Sequence, residues 1–546
     1  MKTFSPQFAY RLLAWALFLA AAISEAGSEY FVAVGGSDTN GGLSRAAPWA
    51  TIQFAVGRAK PGDSITVMGG TYAGARIEAS GSGDAAIGLR ADSGAAVVLN
   101  APGPSNRHSS ILELETWSGT GVVSNWDIEG LQVTGSPKYG IDLRSTSHVI
   151  IRNNKVGGSK STGISASFSY DAVIEGNESS RNGEHGIYCN NSSDRFLIRN
   201  NILHDNANCG LHMNGDFSVQ PPDGTPWVWD GIMSDGVVEN NTIYGNGTNA
   251  HGGAGINMDG VIRTVVRNNV LHDTHNNSGI ALFQSNGAVA SSGNSILHNT
   301  VIMAADGGWA VNLADPGCVS NTVMNNILYN YHSWRGSVSL VQPSLPGFQC
   351  DNNIVTSRFS VDGGGTMINL TAWRSYGYDA HSLVATPADL FLNSTNDYHL
   401  KTNSPAIDHG IWLTNVTSDA DGVVRPLDGD NDGIRAFDMG AYEFADSRAD
   451  SDGDGMPDGA EVRAGTNPLD TGSFLSVRPL ASPAGSVVLE WSSVTGRVYS
   501  IEQSTNSIKS FAPIVVAILA SPPLNTCTAC PLPSIVSWYR VGVSTP

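Results

Sequence analysis

Charged residues are scarce in this sequence, and lysine is the scarcest of them. Asp, Glu, Lys and Arg make up 14% of the 546 residues, against roughly 25% in an average soluble domain. There are seven lysines, and none lies between residues 161 and 400. With 30 basic and 49 acidic residues the net charge is −19. This charge argues against nucleic acid and anionic membranes as partners. An acidic polysaccharide would need a bridging cation or a local basic patch.

Long apolar runs are absent after the N-terminus. Residues 12–23 form an apolar run of 12 residues, which is too short to span a bilayer. Ser24 and Ala26 place small residues at −3 and −1 of a cleavage point before Gly27, so residues 1–26 are predicted to be a secretory signal peptide. We therefore expect a protein that is secreted or held at the cell surface and does not span the membrane. We also expect a monomer. Export would permit disulfides among the six cysteines, in a pairing that the sequence leaves open.

Glycine and asparagine are abundant instead. The sequence has 62 Gly and 43 Asn, and 30 of the Asn lie between Asn153 and Asn353. Both residues favour tight turns over helices. A mainly helical protein is therefore excluded.

Two marks alternate through the middle of the chain. One is a short aliphatic run that ends in Asn, at positions 154, 177, 201, 241, 269, 299, 326 and 353. The other is a small residue before an alternating strand, at positions 140, 163, 186, 210, 255, 279 and 310. Units this short cannot bury their own apolar face, so they must stack. Stacking predicts parallel strands about 4.8 Å apart, with the Asn side chains in an inward ladder.

This pattern resembles the right-handed parallel β-helix proteins of the pectate-lyase-like superfamily. The resemblance implies an all-β fold, a right-handed parallel β-helix solenoid with an N-terminal cap helix. Alternation of apolar and polar residues after it predicts a small C-terminal β-sandwich. Residues 48–60 read as that helix, with Pro48 at its start. We expect a solenoid with both its caps over residues 27–445, including a closing coil and cap at 400–445. A calcium-binding linker should follow at 446–471 and the sandwich at 472–546.

The linker sequence has oxygen-bearing side chains at positions 1, 3, 5, 9 and 12 of a loop, and Gly455 at position 6. That spacing matches a calcium loop and resembles the bacterial thrombospondin type-3-like repeat. The predicted Ca²⁺ ligands are Asp450, Asp452, Asp454, Asp458 and Glu461.

Alternation along the strands after the small-residue mark turns two columns of side chains outward. Three adjacent coils then carry one polar patch, formed by Tyr188, Asn190, His212, Asn214, Asn257 and Asp259. Two long insertions, about 215–233 and 284–293, follow the same strand position and are expected to wall a groove. A third, about 245–253, brings His251 from the opposite end. The first insertion adds Asp216, Trp227, Trp229 and Asp230, and sugar rings commonly stack on Trp.

The resemblance implies a polysaccharide as partner and leaves the chemistry open. In a uronate lyase the base is commonly Lys or Arg; with no Lys here, Arg263, Tyr188, His212 or His251 would take that role. A glycoside hydrolase would use Asp216 and Asp259 as a pair of carboxylic acids. Asn190, Asn214, Asn257, Trp227, Trp229 and Asp230 are the predicted substrate-binding residues. A uronate lyase is the leading hypothesis; the others are the hydrolase and a non-catalytic carbohydrate-binding solenoid.

Overall fold

The chain forms a parallel β-solenoid of about eleven coils, followed by a short acidic linker and two antiparallel sheets. The computed structural model describes residues 27–116, 121–220, 229–249, 253–414, 416–480, 486–504, 510–531 and 538–545. Each coil contributes to three ladders of parallel strands, which we call A, B and C in chain order. The predicted all-β solenoid and the C-terminal antiparallel sheets are confirmed. The predicted signal peptide lies outside the described residues.

Ladder A holds the strands that follow the small-residue mark. They are Ala75–Ile77, Leu112–Leu114, the first half of Ile141–Arg152, Ile164–Tyr170, Ile187–Asn190, Leu211–Asn214, Ile256–Asp259, Ile280–Phe283, Val311–Leu313, Val338–Leu340 and Phe359–Ser360. Ladder B holds the strands that precede the recurrent Asn. They are Glu29–Val32, Ser64–Val67, Ile87–Ala91, Val123–Glu129, the second half of Ile141–Arg152, Val173–Glu175, Leu197–Arg199, Val237–Glu239, Val265–Arg267, Ser295–Leu297, Thr322–Met324 and Gln349–Asp351.

Ladder C follows the recurrent Asn. Its strands are Gly70–Ala73, Val97–Ala101, Gln132–Thr134, Lys155–Gly157, Glu178–Ser180, Ile202–His204, Thr242–Tyr244, Val270–His272, Thr300–Met303, Ile327–Asn330, Ile354–Val355 and Leu383–Val384. Short strands Met233–Ser234 and Val261–Ile262 pair at the far end of ladder A. Apolar side chains from all three ladders fill the solenoid interior, and four buried cysteine thiols, at positions 189, 209, 318 and 350, lie in the solenoid wall and core.

A buried asparagine ladder holds the corner between ladders B and C. Each amide nitrogen donates to the amide oxygen of the next coil, for example Asn201 to Asn241 at 3.0 Å and Asn241 to Asn269 at 2.9 Å. The run continues without a break from Asn154 to Asn353. The residue before the ladder Asn is often a second Asn with positive φ, such as Asn240 at 57°, because Asn tolerates the left-handed region. The double Asn of the repeat therefore makes the turn with its first residue and the ladder with its second.

Ladder B carries a column of alternating charge on its outer face. Parallel register places side chains of opposite sign next to one another on six consecutive coils: Glu129, Arg152, Glu175, Arg199, Glu239 and Arg267. The Arg199 Nε donates to Glu175 at 2.7 Å, and the Arg267 Nε donates to Glu239 at 2.8 Å. A coil that slipped by one repeat would bring like charges together, so this column favours the native stacking order.

We expect Arg199→Glu to destabilise the solenoid by about 1–2 kcal/mol, because it places three carboxylates in adjacent register. Arg199→Gln is the matched control, since it loses the attraction without adding repulsion. Chemical denaturation at low and high salt measures both, and the deficit of the Glu variant should shrink at high salt. Equal losses for the two variants at both salt concentrations would show that the column does not act through charge.

The N-terminal cap helix is present and shorter than predicted. It spans Ile52–Val56, and its N-cap is Thr51, whose hydroxyl accepts from the Phe54 N–H. The side chain of Gln53 pairs with the backbone of Arg76, with bonds of 3.0 and 2.9 Å, at the open edge of the first strand of ladder A. The helix therefore covers an edge that would otherwise be free to pair with another chain.

The C-terminal end is closed earlier in the chain than expected. Helix Leu370–Arg374 places Trp373 against Phe359, with ring centroids 4.8 Å apart. A 3₁₀ turn at Gln342–Ser344, helix Pro387–Leu390 and the hairpin Phe391–Asn393/Asp397–Leu400 complete this end. Much of segment 406–445 instead packs along the B–C corner, where Asn268 and Asn325 donate to the carbonyls of Ser418 and Ile411.

Two three-stranded antiparallel sheets form the C-terminal module. One contains Val477–Leu480, Ser486–Ser492 and Leu524–Pro531, and the other contains Val498–Ser504, Ala512–Leu519 and Trp538–Ser544. Leu489, Trp491, Tyr499 and Ile501 are buried between them. Among the described residues, no helix has the length and apolar character needed to cross a bilayer.

Candidate functional site

The outer face of ladder A brings together the polar side chains predicted from alternation. Parallel register aligns Tyr188 with His212 and His212 with Asn257 in one column. The second column aligns Asn190, Asn214 and Asp259 in the same way. Their inward neighbours on the three strands are apolar and buried. We call the outward-facing residues 188, 190, 212, 214 and 257, with His185 added below, the ladder A patch.

Tyr188 is held as a proton-bearing phenol. Its hydroxyl accepts a hydrogen bond from the Asn214 amide at 3.0 Å. Burial, together with the negative charge of Asp216, raises the pKa of Tyr188 to about 12, although the amides of Asn214 and Asn190 oppose the shift. Because the Asn214 amide bonds to a lone pair of the hydroxyl oxygen, this bond does not use the hydroxyl proton.

His185 joins the patch, although alternation along the strand did not select it. It lies one residue before the Gly186 mark, at the corner where the strand begins. Its Nε2 lies 3.2 Å from Nδ1 of His212, and its Nδ1 accepts from the backbone N–H of Cys209 at 3.3 Å. Burial lowers the pKa of His185 to about 4 and lowers that of His212 well below its usual value. Both rings are therefore neutral at pH 7. A column read at the position before each mark, which holds Tyr139, His185 and Cys209, could have revealed this residue.

Two amide oxygens in the patch are buried and have no hydrogen-bond partner among the described residues. They belong to Asn190 and Asn257. The Nε2 of His212 is likewise buried without a hydrogen-bond partner there. The amide nitrogen of Asn257 lies 3.1 Å from the Cys209 sulfur. Buried polar atoms are normally paired, so three unmatched atoms on adjacent coils indicate a place where a polar ligand or water binds.

Asp259 anchors a loop. Its carboxylate accepts the backbone N–H groups of Ser285, Asn286 and Gly287 at 2.8, 2.8 and 3.1 Å, and the side chain is buried. These three hydrogen bonds occupy acceptor sites of the carboxylate and tie it to the loop backbone. This observation indicates that Asp259 holds the second insertion in position.

The two insertions join rather than wall a groove between them. The Phe217 N–H donates to the Asn286 carbonyl at 2.9 Å, and the Ala288 N–H donates to the Gly231 carbonyl at 2.9 Å. A Cβ on Gly287 would lie 2.5 Å from the Gly260 Cα, so this contact requires glycine. The joined loops form one wall at the end of the ladder A patch, and the face on its N-terminal side is not bounded by them.

The remaining predicted residues of the first insertion line this wall. The Oδ1 of Asp216 accepts from the backbone and hydroxyl of Ser218 at 3.0 and 2.5 Å. Trp229 stacks on Phe217 with ring centroids 4.8 Å apart, so one of its faces is occupied. Asp230 accepts the Ile232 N–H at 2.9 Å. Trp227 lies outside the described residues.

Arg263 is not brought into the patch. Its guanidinium donates two hydrogen bonds of 2.7 Å to Asp235 at the corner that follows ladder A, where Arg195 makes the same pair with Asp171. His251 lies outside the described residues.

A second group of ionisable residues lies on the same face, two and three coils earlier. Asp142 is fully buried, and its Oδ1 has no partner among the described residues. Burial raises the pKa of Asp142 to about 6, against the opposing charges of Arg144 and His108. Burial raises the pKa of Tyr139, and the negative charge of the nearby Asp142 raises it as well. These residues lie in the predicted columns or beside them, but the sequence pattern did not indicate that they are buried.

The acidic linker forms a compact loop in front of helix Asp458–Ala464. Carboxylate oxygens of Asp450, Asp452 and Asp454 lie within 4.8 Å of one another. One oxygen each of Asp452, Asp454 and Glu461 is buried without a hydrogen-bond partner. Burial, followed by the charges of Asp452 and Asp454, raises the pKa of Glu461 to about 7. Asp458 instead accepts two bonds from Ser451. Unmatched carboxylate oxygens that converge fit a hard divalent cation.

Comparisons with known proteins agree with this architecture. Residues 109–220 match the family model described as a right handed beta helix region, and residues 450–471 match the bacterial TSP3 repeat. No curated protein matches the chain in sequence.

Solved structures that are similar to this chain have low sequence identity to it. Pectate lyase Pel9A is 18% identical, with 77% of this chain and 97% of that chain covered and a TM-score of 0.51. An alginate lyase from Paenibacillus sp. str. FPU-7 is 21% identical over 53% of this chain and 94% of that chain, with a TM-score of 0.41. The matches therefore identify a right-handed β-helix region at 109–220 and a bacterial TSP3 repeat at 450–471, within a solenoid whose fold is similar to that of pectate lyase Pel9A.

Proposed function

We propose that this chain is a polysaccharide-active protein, and that the ladder A patch is the active site of a lyase for a uronate-containing polysaccharide. The observation that carries the proposal is the juxtaposition of a phenol that keeps its proton, a neutral imidazole and unmatched amide oxygens on adjacent coils. The similar solved structures include pectate and alginate lyases, and that likeness supports the fold alone. An exported protein would meet such polymers outside the cell.

Each proposed role follows from the contacts described above. We assign the base role to Asp216, because it is the carboxylate of the adjoining wall whose charge acts on Tyr188; it would remove the proton beside the uronate carboxyl group. The electron pair of that C–H bond forms the new double bond, and the bond to the glycosidic oxygen breaks. Tyr188 then donates its proton to the leaving oxygen. His212, Asn190 and Asn257 bind the sugar.

Hydrolysis by two carboxylic acids has less support at this place. A hydrolase needs one acid that donates a proton and a second carboxylate that is free to act as base or nucleophile. Asp259 is committed to three backbone N–H groups. Asp216 would therefore lack its predicted partner.

The proposed reaction is tested by incubating residues 27–546 with a panel of acidic and neutral polysaccharides. Ultraviolet absorbance of the unsaturated product and new reducing ends are read in parallel. A lyase gives both signals on at least one uronate polymer. New ends without absorbance would replace the lyase by a hydrolase, and neither signal on any polymer would favour the carbohydrate-binding solenoid.

We also propose that the TSP3 repeat binds Ca²⁺ through Asp450, Asp452, Asp454 and Glu461, with Asp458 beside them. The loop lies outside the solenoid, so calcium has a structural role there. Chelation should loosen the junction at 446–471 and leave the solenoid folded, because no solenoid ladder passes through the loop. Limited proteolysis with and without chelator measures how accessible the junction is, and circular dichroism measures whether the solenoid stays folded. Loss of the whole fold on chelation, or no change in proteolysis at the junction, would contradict this role.

A further inference from the structure

We infer that His185 is a positioning residue that fixes the tautomer of His212, so that His212 presents an Nε2–H donor to the substrate. The kinetic part of this inference rests on the proposed function, whereas the tautomer itself can be measured without any turnover. It assigns His212 a different role from the base considered in the sequence analysis.

The hydrogen-bond order determines where each proton lies. A backbone N–H can only donate, so the bond from Cys209 N–H to His185 Nδ1 requires a lone pair on that nitrogen. The neutral His185 ring then carries its proton on Nε2, which lies 3.2 Å from His212 Nδ1. His212 Nδ1 must accept that proton's hydrogen bond. The proton of the neutral His212 ring therefore lies on Nε2.

That Nε2–H donor has no acceptor in the described part of the chain. The atom is buried, and the His212 ring lies between the ring of Tyr188, with centroids 5.1 Å apart, and Asn257 on the next coil. An unmatched donor at this depth destabilises the empty site. A carboxylate oxygen is the acceptor that would gain most from it.

The proposed lyase reaction needs such a donor. Negative charge develops on the uronate carboxyl group when the neighbouring proton leaves, and a fixed donor stabilises that charge. There is no lysine between 161 and 400, and Arg263 is paired with Asp235 outside the patch. A neutral imidazole with a lowered pKa can serve as this kind of electrophile.

A metal site is the alternative use of the same residues. Ligand atoms of His185, Cys209 and His212 lie within 4.8 Å of one another. A metal on His185 Nε2 would require the proton on Nδ1, which would then point at the Cys209 N–H. Two donors would face each other, whereas metal-bound histidines usually donate that proton to an acceptor. The hydrogen-bond order therefore favours the relay.

Long-range ¹⁵N–¹H correlation spectra of the histidine-labelled protein test the relay directly, with His212→Gln used to assign the signals. The expected spectrum at pH 7 shows His212 as the neutral Nε2–H tautomer. His185→Leu should give mixed tautomers for His212. His185→Gln should restore the Nε2–H form, because its amide can accept from Cys209 N–H and donate to His212.

The kinetic arm uses the same variants once a substrate polymer is known. We expect His185→Leu to lower kcat about tenfold and His185→Gln to recover most of that loss. An Nδ1–H tautomer, an imidazolium at pH 7, or spectra that change on addition of one equivalent of Zn²⁺ would overturn the inference. If no polymer is turned over, the spectra still decide the tautomer and only the lyase proposal fails.

Discussion

Tyr188→Phe is expected to lower turnover of the substrate polymer by about 10²–10⁴-fold, while the protein stays folded. The substitution removes the hydroxyl that would protonate the leaving oxygen and keeps the ring that packs against His212. The hydroxyl accepts one bond from Asn214, so its loss leaves one amide N–H to find another partner. Binding of the polymer should change much less than kcat, since the sugar contacts of the other patch residues remain.

Tyr244→Phe is the matched control for this variant. Tyr244 lies on ladder C, where it stacks between His204 and His272 with centroids 4.8 and 4.9 Å apart. Steady-state kinetics of both variants against the wild-type protein measure the effect. If the Tyr188→Phe protein were as active as the Tyr244→Phe protein, the proposed role of Tyr188 as proton donor would be wrong.

Asn241→Leu is expected to lower the free energy of unfolding by about 4 kcal/mol, because it leaves two buried backbone groups without their partners, each costing about 1–3 kcal/mol. The Asn241 side chain accepts from the Asn201 N–H at 3.0 Å and donates to the Ile198 carbonyl at 2.9 Å. It also links the amides of Asn201 and Asn269. Leucine has a similar volume, so the loss would come from hydrogen bonds rather than from a cavity.

Asn312→Leu provides the control for the ladder variant. Asn312 lies half-buried on the outer face of ladder A between Ala281 and Ser339, and surface substitutions of this kind usually change stability by less than about 0.5 kcal/mol. Chemical denaturation followed by circular dichroism compares the two. Similar midpoints for both variants would show that the buried ladder contributes little.

The solenoid could be predicted because its determinants repeat. The double Asn serves as a left-handed turn residue and a ladder residue on coil after coil, so its period is visible without knowing which coils touch. The charge column on ladder B has the same origin, and it appears in the sequence as Arg and Glu alternating before successive Asn marks.

The arrangement of side chains at the candidate site could be predicted only in part, for a physical reason. Alternation along a strand correctly placed Tyr188, His212 and Asn257 in one column. It could not show that Asp259 is held by three N–H groups of another loop, since that depends on how the two insertions meet. His185 lies at a corner, where alternation no longer defines a face. The burial that raises the pKa of Asp142 depends on neighbouring coils and on the segment before residue 111.

Crystallography of the Tyr188→Phe variant soaked with an oligosaccharide of the substrate polymer tests the central claim most directly. The account predicts a uronate ring over the coils of residues 188 and 212, with its carboxyl group against His212 and the proton beside it facing Asp216. A sugar bound away from ladder A, or bound there with its carboxyl group turned away from His212, would contradict it.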